Sequence, residues 1–319
     1  NGHASLGLKE WGSGGVGIIF AAIFVHPYHR LTADRYTHCY HNAEDAHQLA
    51  QAQLDYYHCL EHENPQFRII HDTGTLNAVV DTWSNDAQKD RQIGLVLLME
   101  GADPVREPQE VEYWAERGVR IIGPAWARTR YGGGTGDPGP LTDYGCELLE
   151  VMGSLGIVLD VSHMSEQSYY QAMDHFPGNI IASHSNPRQL AVSEYPERAL
   201  SDEQIIRLAE RDGVIGVVPY NRFLKTLWRP LDGKHAVTVK RVAEAVDIIC
   251  QLTGSSSHAG IGSNFDGGFG AESIPAEMDT VADLRLIGNA LAELGYSEED
   301  IERVLRGNWM KILRRGLPI

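Results

Sequence analysis

Seven short apolar runs, separated by segments of helical periodicity, constrain the fold of this chain more than any other feature. They are VGIIFAAIFV (16–25), IGLVLLME (93–100), VRIIGPAW (119–126), IVLDVSH (157–163), NIIASHS (179–185), VIGVVPY (214–220) and AGIGSNFD (259–266). Strands buried on both faces lose the polar alternation of an exposed sheet, so runs of this kind alternating with helices imply βα units around a parallel sheet. Between them lie amphipathic stretches such as 42–61, 142–156 and 201–213, the last opening on a Ser201 N-cap and closing on Gly213. The expected fold class is α/β, a (β/α)8 barrel. A closed barrel needs eight strands, and strict alternation places the remaining one before residue 16. There NGHASLG is either a degenerate first strand or the chain begins after that strand has ended. With Gly2, Gly7, Gly12, Gly14 and Gly15 in the stretch, the second is expected. No Pro/Gly/Ser-rich linker interrupts the 319 residues, which are read as a single domain, 1–319.

Charge and cysteine usage narrow the classes of partner. A net charge of −16 argues against nucleic acid or an anionic membrane surface, both of which need clustered Lys and Arg. No apolar run reaches the roughly 18 residues of a membrane span. Cys39, Cys59, Cys146 and Cys250 are scattered and form no CxxC pair, so neither a disulfide framework nor a thiolate metal site is implied. Buried thiols in a reducing compartment are the simplest account, and a cytoplasmic location follows as the expectation. A homodimer is left open.

In parallel barrels the functional groups sit at the C-terminal ends of strands, where the βα loops share one face. Applied here, that rule collects Glu100, Trp126, His163, His184, Tyr220, Asn264 and Asp266. Each alone has a plain explanation: His163 as a core histidine bonded to a carbonyl, Glu100 as a buried ion-pair partner, Asp266 as turn chemistry before Gly267 and Gly268. Together, one carboxylate and two imidazoles at three strand ends make a set of ligands suited to a divalent metal such as Zn2+, and Glu100, His163 and His184 are the expected ligands. Asp160 and Ser162 flank His163, and Ser183 and Ser185 flank His184, supplying hydrogen-bonding groups to orient the rings. His38, His41, His47, His58 and His62 fall in or near one helical segment without an HExxH arrangement and read as a solvated helix face. GGGTGDPGP (132–140) lacks the Lys-Ser/Thr of a phosphate loop and reads as a long loop over the barrel mouth.

The motifs LLMEGADP, GVRIIGPAW followed by TRYGGGTG, LTDYGCELLEVMGSLGIVLDVSHMSE, IIASHSNPR, ERALSD, GIGSNFDGG and RGNWMKILR resemble those of the membrane dipeptidase (renal dipeptidase, peptidase M19) family, in its soluble bacterial branch, over nearly the full length. The resemblance implies a two-zinc hydrolase on a (β/α)8 barrel of the metal-dependent hydrolase type, cleaving dipeptides and often accepting a D-residue at the C-terminal position. It implies that Glu100 bridges the metals, that His163 and His184 complete one of them, and that Arg198 of ERALSD holds the substrate carboxylate. A planar guanidinium suits that task independently. Trp126 and Tyr220 are the further substrate-binding residues, and an acid/base is expected near Asn264 and Asp266.

The chain departs from the family pattern at three places. The H-x-D pair of the first strand would be represented by His3 and Ser5, with serine in place of aspartate, or else lies upstream of Asn1. The Asp-Phe-Asp motif reads Asn264-Phe265-Asp266, so the first carboxylate has become an amide that takes no proton. Trp126 stands where renal-type enzymes have histidine. If the strand continued through residue 266, positions 264 and 266 would point the same way, and Asp266 would be placed to take over the proton transfer. A catalytically impaired peptide-binding homologue and another amidohydrolase-type enzyme, such as a lactonase, are the competing readings.

Overall fold

Among the described residues eight short parallel strands, apart from a two-residue parallel pairing of His26–Pro27 with Cys39–Tyr40, carry the architecture, distributed over two compact units: Gly17–Asn179 with Gly316–Ile319, and Asn1–Val16 with Ile180–Arg315. The computed structural model describes residues 5–30, 39–84, 90–192 and 195–319.

In the first unit, β1 (Ile18–Phe24), β2 (Phe67–Ile69), β3 (Ile93–Glu100), β4 (Val119–Gly123) and β7 (Val158–Asp160) are parallel. β3 is the central strand, buried along its whole length until Glu100, as its unbroken apolar sequence requires. Gly94 pairs with Ile18 of β1 and with Arg68 of β2, so β1 and β2 lie on opposite edges of β3. β4 joins the β2 edge further along, from Leu97 to Glu100, after a register shift between Leu97 and Leu98. β2 has no counterpart among the seven apolar runs. Three residues with an exposed arginine in the middle are too short to read as a buried strand.

The second unit contributes β8 (Ile180–Ile181), β9 (Ile215–Val217) and β10 (Ala259–Ile261). β9 and β10 are parallel and in register from Ile215↔Ala259 to Val217↔Ile261, and Ala182 bridges to Ile215. Gly216 and Gly262 flank the Ser183 carbonyl so closely that a Cβ on either would lie 2.0 or 2.1 Å from that oxygen. Only glycine fits at those two positions.

Between strands the helices begin where the sequence sets a cap. Asn42 accepts from Asp45 N–H ahead of Ala43–Glu63, Thr142 accepts from Gly145 N–H ahead of Asp143–Ser154, and Ser201 forms a capping box with Gln204 ahead of Asp202–Glu210. Leu8–Gly14 is helical and residues 1–4 of NGHASLG lie outside the described residues; the eighth strand, expected before residue 16, is instead β2 at Phe67–Ile69 among the described residues. None of the described helices is long and apolar enough to cross a membrane.

Two expectations are corrected. Gly132–Gly134 (β5) and Asp137–Leu141 (β6) form an antiparallel hairpin where a loop was expected. A Cβ on Gly133 would sit 2.2 Å from the Gly139 amide nitrogen, so the absence of side chains is what lets the two backbones pair. His47 is 5% exposed, its Nδ1 2.9 Å from the Pro104 carbonyl, and His58 lies half-buried against the Arg117 carbonyl at 3.0 Å. His41 and His62 are exposed as expected, and His38 lies outside the described residues.

Candidate functional site

Glu100 ends β3 and His163 follows β7 by three residues, so both project from the C-terminal ends of parallel strands. Glu100 Oε1 and His163 Nε2 are 3.0 Å apart, with side chains 15% and 9% exposed. The other ring nitrogen, Nδ1, is 2.9 Å from the Thr135 hydroxyl. Thr135 sits at the tip of the β5–β6 hairpin and donates its N–H to the Trp126 carbonyl at 2.9 Å. With the proton on Nε2, His163 donates to Glu100. With the proton on Nδ1, His163 donates to Thr135, and two lone pairs face each other across 3.0 Å, an arrangement that a bound cation resolves. The donor set of this unit therefore fits a metal ion.

Thr135 is the residue that sequence reading missed, because nothing in GGGTG separates an orienting hydroxyl from an ordinary turn residue. Asp160 Oδ1 accepts from the Ser162 N–H at 3.0 Å and from its hydroxyl at 2.6 Å. Trp126 packs its ring 6.0 Å from that of His163, and 5.2 and 5.1 Å from Phe24 and His26.

In the other unit His184 lies three residues past β8 and is 7% exposed. Its Nδ1 is 2.7 Å from the Ser183 hydroxyl. Its carbonyl accepts from Arg198 Nη2 at 2.9 Å, while Arg198 Nη1 donates to the Ser185 hydroxyl at 3.2 Å. Of the two flanking serines, one addresses the imidazole and the other the guanidinium. Arg198 is 6% exposed and its guanidinium lies over the Phe223 ring, 5.1 Å from the centroid. Asn186 locks this loop to β9 by accepting from Val218 N–H at 2.7 Å and donating to Val218 O at 3.1 Å.

At the end of β10 the expectation about strand direction fails. The strand stops at Ile261, and Asn264 and Asp266 adopt left-handed backbone with φ of 49° and 66°. Strand alternation therefore does not relate the two side chains, and their turn is closed by Gly267 N–H to Asn264 O at 2.9 Å. Asp266 is exposed, and its carboxylate accepts from the Ser5 hydroxyl at 2.8 Å. Ser5 thus offers a hydroxyl already committed to Asp266 where the H-x-D pattern calls for a carboxylate, and His3 lies outside the described residues. The described residues do not furnish that second pair of ligands. Tyr220 follows β9 and stacks on Phe269 at 4.2 Å.

The family model for membrane dipeptidase (peptidase family M19) matches residues 2–316. An uncharacterized protein in the pqqA 5′ region of Klebsiella pneumoniae is 29% identical over 257 residues, covering 77% of this chain and 91% of that one. The crystal structure of the probable dipeptidase PvdM from Pseudomonas aeruginosa superposes with a TM-score of 0.82 at 21% identity, covering 99% of this chain and 89% of that chain. A metallo peptidase from Rhodobacter sphaeroides, crystallised with a phosphinate mimic of the dipeptide L-Ala-D-Ala, gives a TM-score of 0.81 at 23% identity over 99% of this chain and 91% of that chain. The fold class is the α/β, TIM-barrel-like class of these proteins. With the fold shared from end to end and the family model matched across the sequence, the chain belongs to the membrane dipeptidase family, peptidase family M19, and with it to the metallo-dipeptidase hydrolases.

Proposed function

We propose that the protein hydrolyses dipeptides at a zinc centre whose ligands are Glu100, His163 and His184, within a single functional domain spanning 1–319, in the cytoplasm. The observation that carries the reading is the Glu100–His163 pair, whose facing donor atoms and Thr135-oriented ring suit a cation better than either residue suits solvent. His184, with its own hydroxyl partner, is the third ligand of the right chemical type. A zinc ion held by these residues would supply Lewis-acid chemistry, lowering the pKa of a water to about 7 and polarising the scissile carbonyl.

The chain's own residues do the rest. Arg198 holds the free carboxylate of the substrate, which is what separates a dipeptidase from a general peptidase, and Trp126 and Tyr220 line the bound dipeptide. Asp266 is the carboxylate available to carry the proton to the departing amine, held in place by Ser5. Tolerance of a D-residue at the C-terminal position is part of the proposal, in keeping with the L-Ala-D-Ala mimic held by the Rhodobacter sphaeroides structure.

A second reading is favoured by one observation. Asn264 presents an amide where the family has a carboxylate, which suits a peptide-binding homologue with little turnover. Zinc content per chain and dipeptide turnover, measured on the unmodified protein, His163→Ala and Asn264→Asp, separate the two. The enzyme reading expects zinc and turnover in the unmodified protein and loss of both in His163→Ala. The impaired reading expects zinc without turnover, and a rate gained in Asn264→Asp on the order of 100-fold. Unchanged zinc in His163→Ala refutes the ligand assignment.

A further inference from the structure

Beside Arg198 the second unit holds a run of aromatic rings that neither the metal centre nor the carboxylate contact requires. Phe223 carries the Arg198 guanidinium on its face at 5.1 Å. Tyr220 meets Phe223 edge-on, with centroids 5.0 Å apart at 75°. Phe269 stacks on Tyr220 at 4.2 Å and 12°, and Phe265 meets Phe269 at 6.5 Å and 88°. Tyr220 and Phe223 follow β9 and the two phenylalanines follow β10, so neighbouring parallel strands present the rings from their C-terminal ends. Of the four, only Phe265 is buried. Phe223, Tyr220 and Phe269 are half-buried and keep part of their apolar surface accessible.

The backbone behind these rings is held in an unfavourable conformation. Phe265 lies between Asn264 and Asp266, both left-handed, in the glycine-rich segment 262–270, and Gly268 has φ 88°. Non-glycine residues held in that region cost free energy that the surrounding structure must offset, and such positions concentrate at ligand sites. Phe265, between them, is buried, and Phe269 stacks on Tyr220.

We propose that Phe223, Tyr220 and Phe269 form a wall that selects dipeptides whose C-terminal residue is aromatic. The reasoning is positional. If Arg198 grips the terminal carboxylate, the side chain on the adjacent α-carbon lies within a few ångströms of the guanidinium, where the wall begins. An aromatic side chain gains apolar burial and ring-to-ring contact there, and a methyl group gains little of either. This inference rests on Arg198 as the carboxylate clamp of the proposed dipeptidase, but not on turnover.

The test uses glycyl-phenylalanine and glycyl-alanine, each with both configurations of the C-terminal residue. Calorimetric binding to the metal-stripped protein is compared with kcat/KM of the zinc-loaded protein. The unmodified chain is expected to favour the phenylalanine peptide by about tenfold or more in both measurements. In Phe269→Ala that ratio falls towards one. In Phe269→Leu, which keeps the bulk and so guards against an unfolded variant, it falls part of the way. Equal affinity for the two peptides in the unmodified protein, or a ratio unmoved in both variants, overturns the wall. A binding preference with no hydrolysis of either peptide supports the wall and removes the catalytic reading. Hydrolysis of both at equal kcat/KM removes the wall and leaves that reading standing.

Discussion

At the scale of single residues, the side chains that matter are fixed by hydroxyl groups. Thr135 meets His163 Nδ1 at 2.9 Å, Ser183 meets His184 Nδ1 at 2.7 Å, Ser185 receives Arg198, and Ser5 holds Asp266. A hydroxyl accepts as readily as it donates, so it partners Nδ1 in either tautomer and orients the ring without adding charge to the proposed metal site. Thr135→Val keeps the shape and removes that partner. We expect zinc affinity to fall by about 10- to 100-fold with the melting temperature of the metal-free protein little changed. Titration against a chelator measures it, and Thr135→Ser should recover most of the loss. Identical zinc affinity in Thr135→Val and the unmodified protein would mean that the hydroxyl does not orient the ring. The histidines themselves were legible in the sequence because an imidazole at the end of an apolar run has no packing rationale. Their partners were legible only in part: Ser183 adjoins its histidine, whereas Thr135 is 28 residues from His163 and is brought there by a turn.

At the scale of elements, the apolar runs located their strands but overstated how far they extend. VRIIGPAW became Val119–Gly123 and AGIGSNFD became Ala259–Ile261, because hydrophobicity persists beyond the last ladder hydrogen bond. That overrun also produced the mistaken alternation of Asn264 and Asp266, since turn geometry leaves no periodic trace. Helix starts were better marked, as at Ser201, where cap chemistry is local. The β5–β6 hairpin lay beyond both signals, being built from glycines that read as loop. Its register depends on Gly133 facing Gly139 with no side chain between them. Gly133→Ala forces a Cβ to 2.2 Å from the Gly139 nitrogen, and we expect a destabilisation of about 1–3 kcal/mol in chemical denaturation. Thr135 moves with the hairpin, so zinc affinity should fall as well. A fully stable Gly133→Ala with unaltered zinc binding would show that the strands can part locally without consequence.

At the scale of the whole molecule, carboxylates set the response to acid. Ser297 and then Ser256 hold Asp300 below the ordinary aspartate range, the Thr75 N–H and hydroxyl do the same for Asp72 at its helix cap, and Arg106 with Gln48 lowers Glu44. A carboxylate whose pKa is depressed by folding contributes stability above its unfolded value, near 4, and loses that contribution as the pH falls through its folded value. Stability should therefore be level on these groups' account from pH 7 to about 5 and decline below about 4, as followed by denaturant midpoint. A decline centred near pH 6 would point to histidines instead. The cross-section at Ser183 has a consequence of another kind. Gly216 N–H donates to Ala182 O at 2.8 Å, Ser185 N–H to Gly216 O at 2.8 Å and Gly262 N–H to Val217 O at 3.1 Å, around a carbonyl with no room on either side. No local opening frees those amides, so in heavy water they should surrender their protons only when their unit unfolds as a whole. They would serve as internal clocks, reporting how often the molecule comes apart while every more exposed amide reports only how often it breathes.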